Sequence, residues 1–121
     1  MRYLFLALAL SAPVMAQAGN VDAPAAQQTL AGGKALLIDV RTPAEFASGA
    51  IQGALLIPQQ ELVERIAAIA PDKGTPIVLY CRSGNRSGQA QDALKEMGYT
   101  QVINGGGYQQ LQGQLTQAKV D

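Results

Sequence analysis

The stretch Cys81-Arg82-Ser83-Gly84-Asn85-Arg86-Ser87-Gly88 holds the single cysteine of this 121-residue chain, with arginines one and five positions after it. It follows the apolar run Ile77-Val78-Leu79 and leads into a segment of helical spacing. A strand, a tight glycine-bearing loop and a helix start make a concave array of backbone N–H groups, which favours negative charge at its centre. Gly84 lets the chain turn back without a Cβ clash. Ser83, Asn85 and Ser87 add short polar groups that hold the loop to itself. A thiol pointing into such a centre ionises readily, with pKa values of roughly 3.5–7.5 in comparable settings. Arg82 and Arg86 bring positive charge to the rim and can fork onto a divalent oxyanion. The constellation reads as an anion-binding, nucleophilic thiolate.

The rest of the composition closes other routes. With one cysteine and no histidine, neither a Ser-His-Asp nor a Cys-His pair can be built. Dithiol exchange needs a second thiol, and Cys/His zinc clusters need more ligands than this chain has. No metal and no organic cofactor is expected. A lone cysteine is ordinarily a small buried apolar residue, and an arginine at a helix start is ordinarily solvated. Their combination around one thiol is what points to chemistry.

The N-terminus says where that thiol works. Met1-Arg2 is a short basic start, Tyr3 to Ala12 is apolar, Pro13 breaks the run, and Ala16-Gln17-Ala18 offers small residues at both positions a signal peptidase reads. This is the pattern of a secretory signal, shorter than the ~20 apolar residues a membrane span needs. Cleavage is expected after Ala18, with Ala16 as the second choice, leaving residues 19–121 as one small domain, periplasmic or secreted. Losing Arg2 leaves eight basic against nine acidic side chains. A net charge near −1 with no Trp favours neither nucleic acid nor an anionic membrane surface. In an oxidising compartment an unpaired thiol is a liability, so its presence needs a reason.

Strand-like and helix-like segments alternate along the mature chain. Asp22 caps a helix through Gln28, with Pro24 in its first turn and Gly32-Gly33 ending it. Ala35 to Val40 is a strand. Thr42-Pro43-Ala44-Glu45 is a capping box opening a short helix that Gly49 stops. Ala54 to Ile57 is a second strand, ended by Pro58, and Gln59 to Ala70 a helix with Leu62, Ile66 and Ile69 on one face. After the turn Pro71–Gly74, Pro76 to Tyr80 is apolar without alternation, as for a strand covered on both faces. Ser87 to Met97 is a helix with Ala90, Ala93, Leu94 and Met97 inward. Thr100 to Ile103 is a fourth strand, Gly105-Gly106-Gly107 a turn, and Tyr108 to Lys119 a last helix with Leu111 and Leu115 inward. Such alternation predicts an α/β fold, a mostly parallel sheet with helices on both faces and a site at the carboxyl ends of the strands. The triple glycine either borders the mouth of that site or only connects strand to helix.

Loop length separates two enzyme classes. Tyrosine-phosphatase-like enzymes place an arginine six positions after the cysteine, so that the loop wraps a tetrahedral phosphate. Here position 87 is serine and the second arginine comes one residue early, which favours room for one extra sulfur over room for phosphate.

The chain resembles the rhodanese (thiosulfate sulfurtransferase) family, in particular its small exported single-domain, phage-shock type. The resemblance covers nearly all of the mature chain. It rests on Ile38-Asp39-Val40-Arg41 with Thr42-Pro43-Ala44-Glu45-Phe46, on Gly49-Ala50-Ile51-Gln52-Gly53-Ala54, on Cys81 to Ser87, and on the glycine turn before the last helix. It implies a rhodanese-like sheet of about five strands and a six-residue active loop, Cys81 to Arg86. It also implies that Cys81 becomes a persulfide, with the backbone amides of Arg82 to Arg86 around its outer sulfur and both arginines orienting the anionic donor. Asp39 and Arg41 match structural ion-pair positions near the site and are read as support, as is Ser87. Many relatives carry His where this chain has Ala50, a position that looks structural.

The expected reaction is a double displacement. Cys81 takes a sulfane sulfur from thiosulfate or a similar donor, and the persulfide passes it to cyanide or a thiol. The alternatives are a non-catalytic sulfur-carrier or stress-response module using the same loop and, behind it, a cysteine-dependent phosphatase-like enzyme.

Overall fold

The computed structural model describes residues 19–120, so the expected signal segment lies outside the described residues. The alternation read from the sequence becomes α1 (Ala23–Ala31), β1 (Leu36–Asp39), α2 (Pro43–Ser48), β2 (Leu55–Leu56), α3 (Gln59–Ile69), β3 (Ile77–Cys81), α4 (Asn85–Glu96), β4 (Val102–Gly107) and α5 (Tyr108–Val120). The strands pair in parallel in the order β2-β1-β3-β4. This places β3, the apolar run before the cysteine, inside the sheet. All five of its residues are buried, which is why it carries no polar alternation.

Because side chains alternate along a strand, β3 divides its residues between two cores. Ile77, Leu79 and Cys81 join Leu62 and Ile66 of α3 and Ala90 and Leu94 of α4 on one face. Val78 and Tyr80 join Ala26 of α1 and Leu111 of α5 on the other. The helices thus cover both faces, and the cysteine side chain belongs to the face under α4.

The sheet has four strands among the described residues, not the expected five. Beyond β4 the chain makes a single parallel bridge, Val21 to Asn104. Asp22 then turns it into α1 by accepting from the Ala25 amide, and Pro24 has no N–H to continue a ladder. The capping box at Thr42 forms in full, with Glu45 N–H donating to the Thr42 hydroxyl and Thr42 N–H to the Glu45 carboxylate.

Two boundaries near the cysteine move. Helix α4 begins at Asn85, not Ser87, because Gly84 adopts φ 98° and ψ −7° as its N-cap and reverses the chain at once. The triple glycine is not a turn but the end of β4, with Gly106 opposite Tyr80 and Gly107 opposite Cys81 across a register shift. Crowding explains it: a Cβ on Gly105 would lie 3.0 Å from Leu111 and 3.1 Å from Val78, and one on Gly107 would lie 2.7 Å from the Arg82 carbonyl oxygen. The glycines let β4 press against the cysteine loop, so of the two roles open to them they border the site.

Gly106 holds φ 95°, and a Cβ there would lie 2.9 Å from a Val21 methyl. Gly106→Ala is expected to destabilise the fold by about 1–2 kcal/mol from the left-handed conformation alone. The corresponding fall in Tm is about 4–16 °C. An unchanged melting curve would mean that the strand end does not need this conformation.

Candidate active site

The site is built where β3 ends and α4 begins. Cys81 is fully buried. Its Sγ accepts from the Gly84 amide at 3.0 Å and from the Ser87 amide at 3.4 Å. Both donors follow from the Gly84 turn, which aims the first N–H groups of α4 back at the strand end, where the helix leaves them without partners. The positive end of the helix dipole faces the sulfur from the same direction.

The Ser87 hydroxyl lies 3.4 Å from the Cys81 sulfur and donates to Asn104 Oδ1 at 2.7 Å. Asn104 is itself fixed by backbone: Gly106 N–H donates to its Oδ1, and its Nδ2 donates to the Gly84 and Gly19 carbonyls, each at 3.0 Å. Its oxygen therefore faces Ser87. One hydroxyl proton serves two acceptors, so the thiol can donate to Ser87 Oγ, and on ionisation the hydroxyl can turn its proton to sulfur. Burial pushes the Cys81 thiol up. The Ser87 hydroxyl and the amides of Ser87, Ser83 and Gly84 outweigh that, and the thiol sits below its ordinary value.

The two loop arginines have different surroundings. Arg82, Ser83 and Asn85 are exposed at the rim. Arg86 makes a two-pronged ion pair with Glu45, at 3.0 Å and 3.1 Å. Its fork is thus already engaged by a carboxylate. Glu45 serves twice, since the oxygen that meets Arg86 Nη1 also accepts from Thr42 N–H in the capping box. The sequence shows the capping box but not the pairing across 41 positions. Asn104 was also missed; a lone polar residue between Ile103 and the glycines was its signal.

Asp39 and Arg41 pair at 2.7 Å, both buried. Arg41 Nη2 also donates to the Gly49 carbonyl at 2.7 Å, and the guanidinium stands 4.5 Å from the Tyr108 ring centroid and 5.6 Å from that of Tyr80. Asp39 is the β1 neighbour of Tyr80. The pair therefore joins the ends of β1, α2, β3 and α5 beside the cysteine loop. Ala50 lines an open groove of about 690 Å³ with Leu37, Gln27 and Leu115, on the side of the sheet covered by α1 and α5. Among the described residues, no group of three or more His, Cys, Asp or Glu side chains is placed to hold a metal.

The hydrogen bond from Arg86, followed by those from Thr42, lowers the Glu45 carboxyl to about 2. A depressed carboxyl contributes stability above its unfolded value, about 4.3, and loses it as pH falls towards 2. Glu45→Gln is expected to flatten the stability-versus-pH curve between those limits relative to the parent. Parallel curves from thermal melts would show that the ion pair adds nothing to folding.

Comparison with known proteins places this geometry. The family model for the rhodanese-like domain matches residues 22–114. The chain is similar to the thiosulfate sulfurtransferase PspE of Escherichia coli (strain K12), 47% identical over 74 residues that cover 61% of this chain and 71% of that one. It is also similar to the thiosulfate:glutathione sulfurtransferase of Homo sapiens, 35% identical over 102 residues that cover 74% of this chain and 89% of that one. A solved rhodanese with anions from E. coli has a TM-score of 0.59 at 47% identity, covering 61% of this chain and 87% of that one. The family match runs from the cap of α1 into α5 and contains the whole cysteine loop, its Glu45 brace and Asn104, and the chain belongs to the rhodanese-like family.

Proposed function

We propose that this sulfurtransferase carries sulfane sulfur on Cys81, taking it from thiosulfate or a similar small anion and passing it to cyanide or a thiol. One observation carries the reading: the single thiol sits at the start of α4 with amide hydrogens of Gly84 and Ser87 directed at its sulfur. That arrangement stabilises a thiolate and, one bond further out, the anionic outer sulfur of a persulfide. The related proteins named for thiosulfate and for glutathione support the choice of donor and of a thiol acceptor.

In the first half-reaction the Cys81 thiolate attacks the sulfane sulfur of thiosulfate. A new S–S bond forms, the old one breaks, and sulfite leaves with the electron pair. In the second, cyanide attacks the outer sulfur and departs as thiocyanate, or a thiolate attacks and departs as a persulfide, and the Cys81 thiolate returns. Sulfur and charge balance across the cycle without an external oxidant. Arg82 at the rim meets the incoming dianion, and the amides from Arg82 to Arg86 surround the transferred sulfur. Arg86, held by Glu45, positions the loop as much as it binds. The first eighteen residues support export, so the work is done in the periplasm or outside the cell.

Cys81→Ser is expected to keep the fold and abolish thiocyanate formation. Wild-type protein treated with thiosulfate should gain about 32 Da on the peptide containing Cys81, read by mass spectrometry under non-reducing conditions. Turnover by the serine variant at the parent rate would overturn the assignment. Sulfur loading with no turnover to cyanide or thiols would favour a carrier, and aryl-phosphate hydrolysis without loading would favour a phosphatase.

The arginines give a separate test. Arg82→Ala should cost about ten- to a hundred-fold in kcat/KM with thiosulfate, the size of one charge-assisted hydrogen bond. The loss should be smaller with a neutral persulfide donor. Arg86→Ala should affect both donors similarly, because Glu45 occupies its fork. A donor-dependent loss at Arg86 and none at Arg82 would reverse their roles.

A further inference from the structure

The segment Gly19 to Asp22 lies across the back of the cysteine loop. The Gly19 carbonyl accepts from Asn104 Nδ2 at 3.0 Å, and Asp22 N–H donates to the Asn104 carbonyl at 2.9 Å. Between them the Val21 methyls rest on Gly84 and Gly106, where a Cβ on either glycine would come within 2.9 Å. Since Asn104 also holds the Gly84 carbonyl and the Ser87 hydroxyl, a continuous path runs from Gly19 through Asn104 and Ser87 to the Cys81 sulfur.

The far end of this path has polar groups that an ordinary peptide N–H does not satisfy. Gly19 N lies 3.3 Å from Asp92 Oδ2. Gln91, 7% exposed, leaves its Oε1 as a buried acceptor without a partner. Its orientation is fixed, because Nε2 donates to the Val102 carbonyl at 2.9 Å. That orphan oxygen is directed at Gly19: a Cβ built there would fall 1.7 Å from it and 3.0 Å from the Gly88 carbonyl oxygen. A side chain at this position would have to displace the Gln91 carboxamide from its bond to Val102. A peptide amide has one hydrogen, and it goes to Asp92. A primary ammonium has three, enough for the carboxylate and the amide oxygen together. Gly19 is also the residue that follows Ala16-Gln17-Ala18.

We propose that Asp92 and Gln91 form a binding site for the α-ammonium group of Gly19, created when the chain is cut after Ala18. The cut that releases the exported domain also completes an anchor tied to the active cysteine through Asn104. This rests on the export reading given above. Cleavage after Ala16 would leave an uncharged amide at Gly19 and the Gln91 oxygen unserved.

The test starts from the full chain expressed in a host that exports it. Intact mass of the purified protein should correspond to a start at Gly19. Asp92→Asn should lower Tm at pH 7 by up to about 4–8 °C, the shift expected for losing one half-exposed ion pair in a domain of this size. Acetylation of the α-amine near pH 6.5 in the unfolded protein, where the amine has its ordinary basicity, followed by refolding, should produce a similar loss in the parent and little further loss in Asp92→Asn. Paired with Asp92, the ammonium holds its proton above its usual 7.7–8.0 or so. Its contribution is therefore complete below that range and disappears as pH rises through the raised value. The parent and Asp92→Asn should accordingly converge at high pH. Asp92 is the one charged group hydrogen-bonded to Gly19 among the described residues. A mature mass starting at any other residue overturns the proposal. A start at Gly19 with additive or absent effects of Asp92→Asn and acetylation overturns the anchor and leaves export intact. Thiosulfate loading of Cys81 on the same samples reports separately on sulfur transfer.

Discussion

A buried sulfur anion has to be solvated by something other than water, and the fold supplies backbone amides for that purpose. Cys81 ends a strand buried on both faces, so the thiolate loses its hydration on folding. Left alone, that loss would keep the thiol protonated. The left-handed turn at Gly84 brings helix α4 in four residues after Cys81, early enough for its free N–H groups to face the sulfur. Much of the neighbouring structure serves this junction. The glycines of β4 remove side chains that would push the loop outward, and Asn104 holds the loop from behind.

The two ion pairs near the loop act as braces of different kinds. Asp39–Arg41 is buried, and such a pair adds little net stability over an apolar one, although losing one partner is costly. Its value here is geometric, since Arg41 also reaches Gly49 and two tyrosine rings. Glu45–Arg86 is about a third exposed, so solvent screens it. It still sets the direction of a guanidinium that the sequence presents as free, and it makes the capping box of α2 part of the loop's support.

Local signals in the sequence were read well where the physics is local. The Asp22 and Thr42 caps, the helical faces of α3 and α4, and the non-alternating run of β3 each depend on a few adjacent residues, and each is present. The cysteine loop was legible because strand, glycine and helix start are contiguous. Reading failed where meaning came from packing at a distance. A triple glycine has the composition of a turn, and only the nearness of Val78, Leu111 and the Arg82 carbonyl makes it a strand. Arg86 reads as a free cation until Glu45, on another element, comes beside it. The strand count fell short because Asp22 and Pro24 end pairing after one bridge.

The complete burial of Cys81 limits what an unpaired thiol can meet. Forming a disulfide between two copies would require two sulfurs to meet at about 2.05 Å, and a sulfur enclosed by its own loop cannot approach another enclosed sulfur that closely. Mixed disulfides with bulky partners meet the same steric barrier. In the proposed persulfide the reactive atom would stand one S–S bond, about 2.05 Å, beyond Sγ. Burial thus restricts what can meet the bare thiol, while the proposed loading would carry the reactive atom away from the enclosed position.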